Sequence, residues 1–130
     1  MWLNAIDHIQ VTSSTEAKDS MLFFYSQVLG LKEITKPEAL QANEGAWYVL
    51  GNIQIHVSTE NSVNNATSRR HICFQVNNLP AFAQHLQNHG VEIINGQPIP
   101  FVNRFFIRDP GGNRLEIAEF TKNMGLKPRP

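Results

Sequence analysis

The chain has 130 residues, of which 42% are hydrophobic and 17% charged, with 11 Lys and Arg balancing 11 Asp and Glu. That length holds one domain with a real core, and a net charge of zero gives no electrostatic reason to expect nucleic acid or an anionic membrane as partner; a small neutral ligand pocket suits it better. The single cysteine, Cys73, excludes an intrachain disulfide and reads as a small buried hydrophobe; no apolar run approaches the roughly 20 residues of a membrane span, and the start lacks a basic stretch followed by an apolar one, so a cytoplasmic protein is expected.

The predicted elements begin with a strand over 5–13, where Ile9 and Val11 share one face and His8 and Gln10 the other. Thr12-Ser13-Ser14-Thr15 offers hydroxyl caps for a helix over 16–29, whose Met21, Leu22, Phe24, Tyr25, Val28 and Leu29 fall at helical spacing before Gly30 stops it. A short strand over 31–35 follows, and 36–44 carries little pattern. Strands over 46–50 and 53–58 flank Gly51-Asn52, a two-residue hairpin turn. Trp47 and Tyr48 point to opposite faces, so one of them walls a cavity, and His56 lies on the polar side. After a polar connector the pattern restarts: a strand over 71–76 with His71 on its polar side, a helix through Leu79, Phe82, Ala83 and Leu86 with Pro80 near its start and Gly90 at its end, a short strand over 91–94, and longer ones over 102–108 and 114–120. His85 and His89, four residues apart on that helix, lie toward solvent beside its buried stripe.

The closing strand is entered through Asp109-Pro110-Gly111-Gly112-Asn113, a tight turn whose proline and glycines supply one fixed and one permissive φ. Alternation then puts Arg114, Glu116 and Ala118 on one face and Leu115 and Ile117 on the other. Four strands thus offer His8, His56, His71 and Glu116 to what could be one shared surface. The chain is a β-α-β-β-β unit written twice, in modules of about 4–59 and 70–120 joined by a connector over 60–69. The fold class is α+β: a single domain over 4–120 in which the two modules form a curled mixed sheet with a concave cavity and helices outside, followed by a tail over 121–130 expected to be flexible. His8 matches His71. Counted from the turns, Glu116 falls between Gln54 and His56.

Asp7-His8-Ile9, Phe24-Tyr25 before Leu29-Gly30-Leu31, Arg70-His71-Ile72 and the run from Asp109 to Glu116 together resemble the vicinal oxygen chelate superfamily. That superfamily includes glyoxalase I, bleomycin-resistance proteins, fosfomycin-modifying thiol transferases, methylmalonyl-CoA epimerase and extradiol dioxygenases. The resemblance spans about 5–120 and implies the glyoxalase-like fold. It carries the family's metal positions onto His8, His71 and Glu116, a set suited to a divalent transition ion such as Zn, Mn, Fe, Ni or Co, with open positions for the adjacent oxygens of a small organic substrate. Lyase, isomerase, transferase and dioxygenase chemistries all fit such a site. Glyoxalase I members usually place a carboxylate at the end of the first half, where this chain has Gln54 and His56. His56 is therefore a candidate fourth ligand or base beside Glu116 as the catalytic groups, Gln54 a candidate hydrogen-bond partner of the substrate, Arg104 a candidate anion contact, and Trp47 a candidate wall. Arg114, sharing a face with Glu116, reads equally well as its ion-pair partner. The resemblance also implies a homodimer with each site built from both chains. The alternative is a metal-free protein of the bleomycin-resistance kind that sequesters a small molecule.

Overall fold

The computed structural model describes residues 1–121; the expectation of a flexible tail falls, from 122 on, outside the described residues. The described chain divides into two compact units, one of 1–68 with 109–113 and the other of 69–108 with 114–121.

In the first unit, β1 (His8–Ser13), β2 (Lys32–Ile34), β3 (Ala46–Leu50) and β4 (Ile53–Thr59) form a sheet ordered β1-β4-β3-β2, with β1 parallel to β4 and the other pairs antiparallel. β1 starts at His8 rather than at residue 5 because its partner strand starts at Ile53; the last rung is the Gln54 N–H on the Asp7 carbonyl at 3.0 Å. The expected helix over 16–29 is three kinds of turn in succession: a 3-10 turn (Thr15–Ala17), α1 (Lys18–Phe23) and a π turn (Phe24–Val28). The widening has a local cause, since the Leu22 carbonyl accepts the Ser26 hydroxyl at 2.7 Å and the Tyr48 hydroxyl at 3.3 Å, and such side-chain bonds compete with the helical ladder. Its result is that the consecutive Phe24 and Tyr25 are both buried, with Met21, Val28, Tyr48, Ile55 and Val57. The 36–44 stretch holds one 3-10 turn (Glu38–Leu40), and it is laced to itself by Lys36 Nζ on the Asn43 carbonyl and Gln41 Nε2 on the Lys36 carbonyl.

The second unit repeats the order with β5 (His71–Gln75), α2 (Leu79–Asn88), β6 (Ile94–Asn95), β7 (Val102–Arg108) and β8 (Arg114–Phe120), in a sheet ordered β5-β8-β7-β6. Asn78 caps α2 by accepting the Ala81 N–H, and Glu119 accepts that of Leu79. The short strand expected over 91–94 is displaced to Ile94–Asn95 because the Val91 N–H closes the end of α2 on the Leu86 carbonyl. Phe105, Ile107, Leu115 and Ile117 are buried from one face of this sheet, and Leu79 and Leu86 are the buried residues of α2.

The register also settles how the halves correspond. Gln10 pairs with His56 and Cys73 with Glu116; across the hairpins, Trp47 pairs with His56 and Phe106 with Glu116. His56 is therefore the positional counterpart of Glu116, and Trp47 of Phe106. Counting from the turns was misled because a two-residue turn joins β3 to β4 whereas five residues, 109–113, join β7 to β8. Cys73 corrects a second expectation: it is exposed, on the face of β5 that carries His71.

Candidate metal and substrate site

The strand bearing Glu116 leaves a turn that is fixed in the first unit. The Asp109 carboxylate accepts four partners: the Tyr25 hydroxyl at 2.7 Å, the Gly111 N–H at 3.0 Å, the Asn113 N–H at 2.9 Å and Asn113 Nδ2 at 2.9 Å. Asn113 Nδ2 and Asn65 Nδ2 both donate to the Thr12 carbonyl, at 3.0 and 2.9 Å. Both glycines are required by this packing. A Cβ on Gly111 would stand 2.6 Å from Ser13 Cβ, and Gly112 has φ +88°. Burial raises the Asp109 carboxyl above its usual range, opposed by the bonds from Tyr25, Asn113 and Gly111; burial, then the Asp109 charge, holds the Tyr25 phenol well above its own.

In the second unit, His71 and Glu116 come together. His71 Nδ1 lies 3.0 Å from the Arg69 carbonyl, which can only accept, so this nitrogen is the donor of that bond. Yet Nε2 stands 3.1 Å from Glu116 Oε1, a second acceptor. With Nδ1 engaged on the carbonyl, a cation on Nε2, whether a proton or a metal ion, joins this nitrogen to the carboxylate. Arg104 Nη1 takes the other oxygen, Glu116 Oε2, at 3.2 Å, and Arg104 Nη2 takes the Gln97 carbonyl, while its buried Nε has no hydrogen-bond partner among the described residues. Arg114 does not form the ion pair with Glu116 that a shared face suggested. Its guanidinium lies 3.8 Å over the centre of the Phe106 ring. Cys73, opposite Glu116 in the ladder, has its thiol pushed up to about 11, by burial first and by the Glu116 charge second.

In the first unit, His8 and His56 come together with Trp47 in one stack. The Trp47 and His56 rings are 3.8 Å apart and 4° from parallel, and those of His56 and His8 are 4.1 Å apart and 11° from parallel. His8 Nδ1–H donates to Asp7 Oδ2 at 2.9 Å, leaving Nε2 as the free nitrogen. His56 is only 6% exposed, and its Nε2–H donates to Gln54 Oε1 at 2.9 Å; burial, and next the neighbouring His8, lower its pKa. Beside the stack is a cavity of about 250 Å³ whose lining includes Trp47, His56, Gln10 and Ser58 from the sheet and Lys36 and Leu40 from the stretch over it.

The site residues read from the sequence thus fall into two groups, His8, Gln54, His56 and Trp47 in the first unit and His71, Arg104 and Glu116 in the second. Among the described residues, no three His, Cys, Asp or Glu side chains are clustered as a ready ion cage. The pair in the second unit does fit two ligands of one ion: atoms each about 2.1 Å from a metal and roughly 90–110° apart at it lie about 3.0–3.4 Å from each other. Both histidines also have Nδ1–H anchored on an oxygen, the outer support that metal-binding imidazoles commonly have. Sequence reasoning passed over Asp7 as the anchor of His8, although the two are adjacent in the motif. It also missed the contribution of 36–44 to the cavity, since Lys36 and Leu40 show no periodicity to mark them.

Residues 5–117 match the model of the Glyoxalase/Bleomycin resistance protein/Dioxygenase superfamily. A curated relative, Glyoxylase I 4 of Arabidopsis thaliana, is 26% identical over 126 residues, covering 89% of this chain and 71% of that protein. Among solved structures, one described as a glyoxalase family protein from Bacillus anthracis is 37% identical, with TM-score 0.84 over 92% of this chain and 98% of that one. The fosfomycin resistance protein FosX of Listeria monocytogenes shares the fold alone, at 14% identity and TM-score 0.74 over 90% of this chain and 93% of its own.

Proposed function

Because the chain belongs to the glyoxalase/bleomycin resistance protein/dioxygenase superfamily, we propose that it is a small metal-dependent enzyme acting on a small organic molecule with adjacent oxygens. His8, His71 and Glu116 hold the ion through two imidazole Nε2 atoms and a carboxylate, a donor set for Zn, Mn, Fe, Ni or Co. When bound, such an ion supplies Lewis acidity toward the substrate's oxygens. The observation that carries this reading is the His71–Glu116 pair, where an imidazole nitrogen and a carboxylate oxygen face each other at 3.1 Å with the other ring nitrogen already spent on a carbonyl.

The chain's own residues support the rest. Arg104, bonded to Glu116 Oε2, holds the carboxylate in place, so its role is to support Glu116 more than to meet substrate. The 250 Å³ cavity, about eight water volumes, suits the organic body of a small substrate. Reaction type follows from what is turned over: a metal-loaded sample tested against small hydroxy-ketones, epoxides and catechols is expected to convert one class, and to stop when chelated.

A second reading has an observation of its own. The ring-walled cavity lies wholly within the first unit and needs no ion, as in a metal-free binder that sequesters its ligand. Ligand retention by chelated protein, without turnover in any metal form, supports that binder. A homodimer in the cytoplasm completes the proposal: Trp2, Leu3 and Ile6 are exposed just ahead of β1, an edge strand, and no helix among the described residues is long and apolar enough to cross a membrane. Sedimentation as a monomer contradicts the dimer.

A further inference from the structure

We infer that Trp47 and His56 are positioning residues for the His8 imidazole: they clamp its face so that Nε2 is presented in one orientation, and His56 acts through His8 rather than as a ligand or base of its own. This rests on the reading of His8 as a metal ligand.

Trp47 on β3 lies directly opposite His56 on β4. His8 on the neighbouring β1 is opposite Gln54, two residues along from the Gln10 that pairs with His56, and its ring reaches His56 on the diagonal to complete the stack. Consecutive rings are 3.8 and 4.1 Å apart and within 4° and 11° of parallel, so each face of His56 is covered by another ring. The edge of His56 is engaged as well, through Nε2–H on Gln54 Oε1. His8 is therefore fixed in two independent directions, its edge by Asp7 on Nδ1 and its face by His56, and the atom left over is Nε2.

The second half of the chain supplies the contrast. The counterpart of His56 is Glu116, and the counterpart of Trp47 is Phe106. There the carboxylate meets its histidine edge-on, oxygen toward nitrogen, as a co-ligand does; Phe106 meets His71 at 87°, so no parallel stack forms. In the first half the equivalent position holds a ring that meets its histidine face-on, with no atom directed at the nitrogen His8 presents. One register position thus carries a ligand in one module and a clamp in the other. A lone imidazole on an edge strand keeps two side-chain torsions free, and ordering it before an ion arrives removes that cost from binding.

The test uses metal-free wild-type protein with His56→Phe, His56→Ala and Trp47→Leu, read by histidine-ring NMR and by calorimetric titration with Zn²⁺. Phenylalanine can stack but can neither ligate nor accept a proton. The expected result is that His56→Phe keeps the upfield ring-current shift of the His8 ring protons and a Zn²⁺ affinity within about threefold of wild type, whereas His56→Ala loses the shift and weakens Zn²⁺ about tenfold or more, with Trp47→Leu between them. The inference is overturned if His56→Phe loses as much Zn²⁺ affinity as His56→Ala, which makes His56 a ligand, or if His56→Ala leaves the His8 signals unmoved. Should wild type bind no Zn²⁺ at all, the metal reading fails, while the ring shifts of the three variants still decide whether the stack holds His8. If the alanine variant does not fold, the comparison of His56→Phe with Trp47→Leu makes the same decision.

Discussion

Replacing Tyr25 with Phe removes one hydroxyl and leaves the Asp109 carboxylate short of one donor. The phenol donates to Asp109 Oδ2 at 2.7 Å between two buried residues, and no backbone needs to move when it is deleted. Hydrogen bonds to a charged group contribute about 1.5–3 kcal/mol, against about 0.5–1.5 kcal/mol for neutral pairs. At pH 7 the variant should therefore lose about 2 kcal/mol, which for a chain of this size lowers the midpoint of thermal unfolding by roughly 6–10 °C. The pH dependence has a definite sign. Burial raises the folded-state pKa of Asp109, so its contribution is fully present below the unfolded value of about 3.9 and is lost as pH rises through the folded one. The bond from Tyr25 lowers that pKa, so deleting it raises the pKa further and extends the loss to higher pH. The deficit of Tyr25→Phe relative to wild type should consequently grow as pH rises through the folded-state pKa of Asp109, and be larger at pH 7 than at pH 4. Urea unfolding at the two pH values, repeated in an Asp109→Asn background, measures it. A deficit that is the same at both pH values, or that survives undiminished in the Asp109→Asn background, refutes the assignment.

Gly111→Ala is expected to cost about 1–3 kcal/mol, because a methyl must displace Ser13 and Met21 from contact; denaturation measures this, and a neutral result contradicts the packing described. Cys73, although exposed, should alkylate slowly in metal-free protein at pH 7.5, at least about tenfold more slowly than a free cysteine, with the rate climbing as pH approaches 11 and rising in Glu116→Gln. A rate equal to that of a free thiol removes the influence of Glu116. Arg104→Met should weaken binding of a divalent metal about tenfold through Glu116 while leaving the fold intact by circular dichroism, and an unchanged affinity contradicts the support assigned to Arg104.

Much of the architecture was legible because it is written in period-two alternation. Ile9 and Val11, Ile55 and Val57, and Leu115 and Ile117 mark inner faces without help from anything distant, and Gly51-Asn52 and Pro110-Gly111-Gly112 mark where strands turn. The π turn at Phe24–Val28 was not legible, since it depends on which carbonyl the Ser26 and Tyr48 hydroxyls reach. Nor was the equivalence of His56 and Glu116, because turn length shifts the count without changing the pattern. Alternation put His8, His56, His71 and Glu116 on polar faces, but it says nothing of how rings meet: only coordinates distinguish the face-on contact of His56 with His8 from the edge-on contact of Glu116 with His71. Cys73 shows the opposite failure. Its place between Ile72 and Phe74 suggested burial, although the same alternation that exposes His71 exposes Cys73.

If His71 and Glu116 face each other because an ion belongs between them, with His8 completing its ligands, the stripped protein must take that ion up. The decisive experiment titrates chelator-treated protein with Zn²⁺, Mn²⁺, Fe²⁺, Ni²⁺ and Co²⁺, alongside His8→Ala, His71→Ala and Glu116→Gln. Saturation near one ion per chain is expected for at least one metal, with affinity falling at least about tenfold in each variant. Wild-type protein that takes up none of these ions, or variants that bind as tightly as wild type, would contradict the metal assignment.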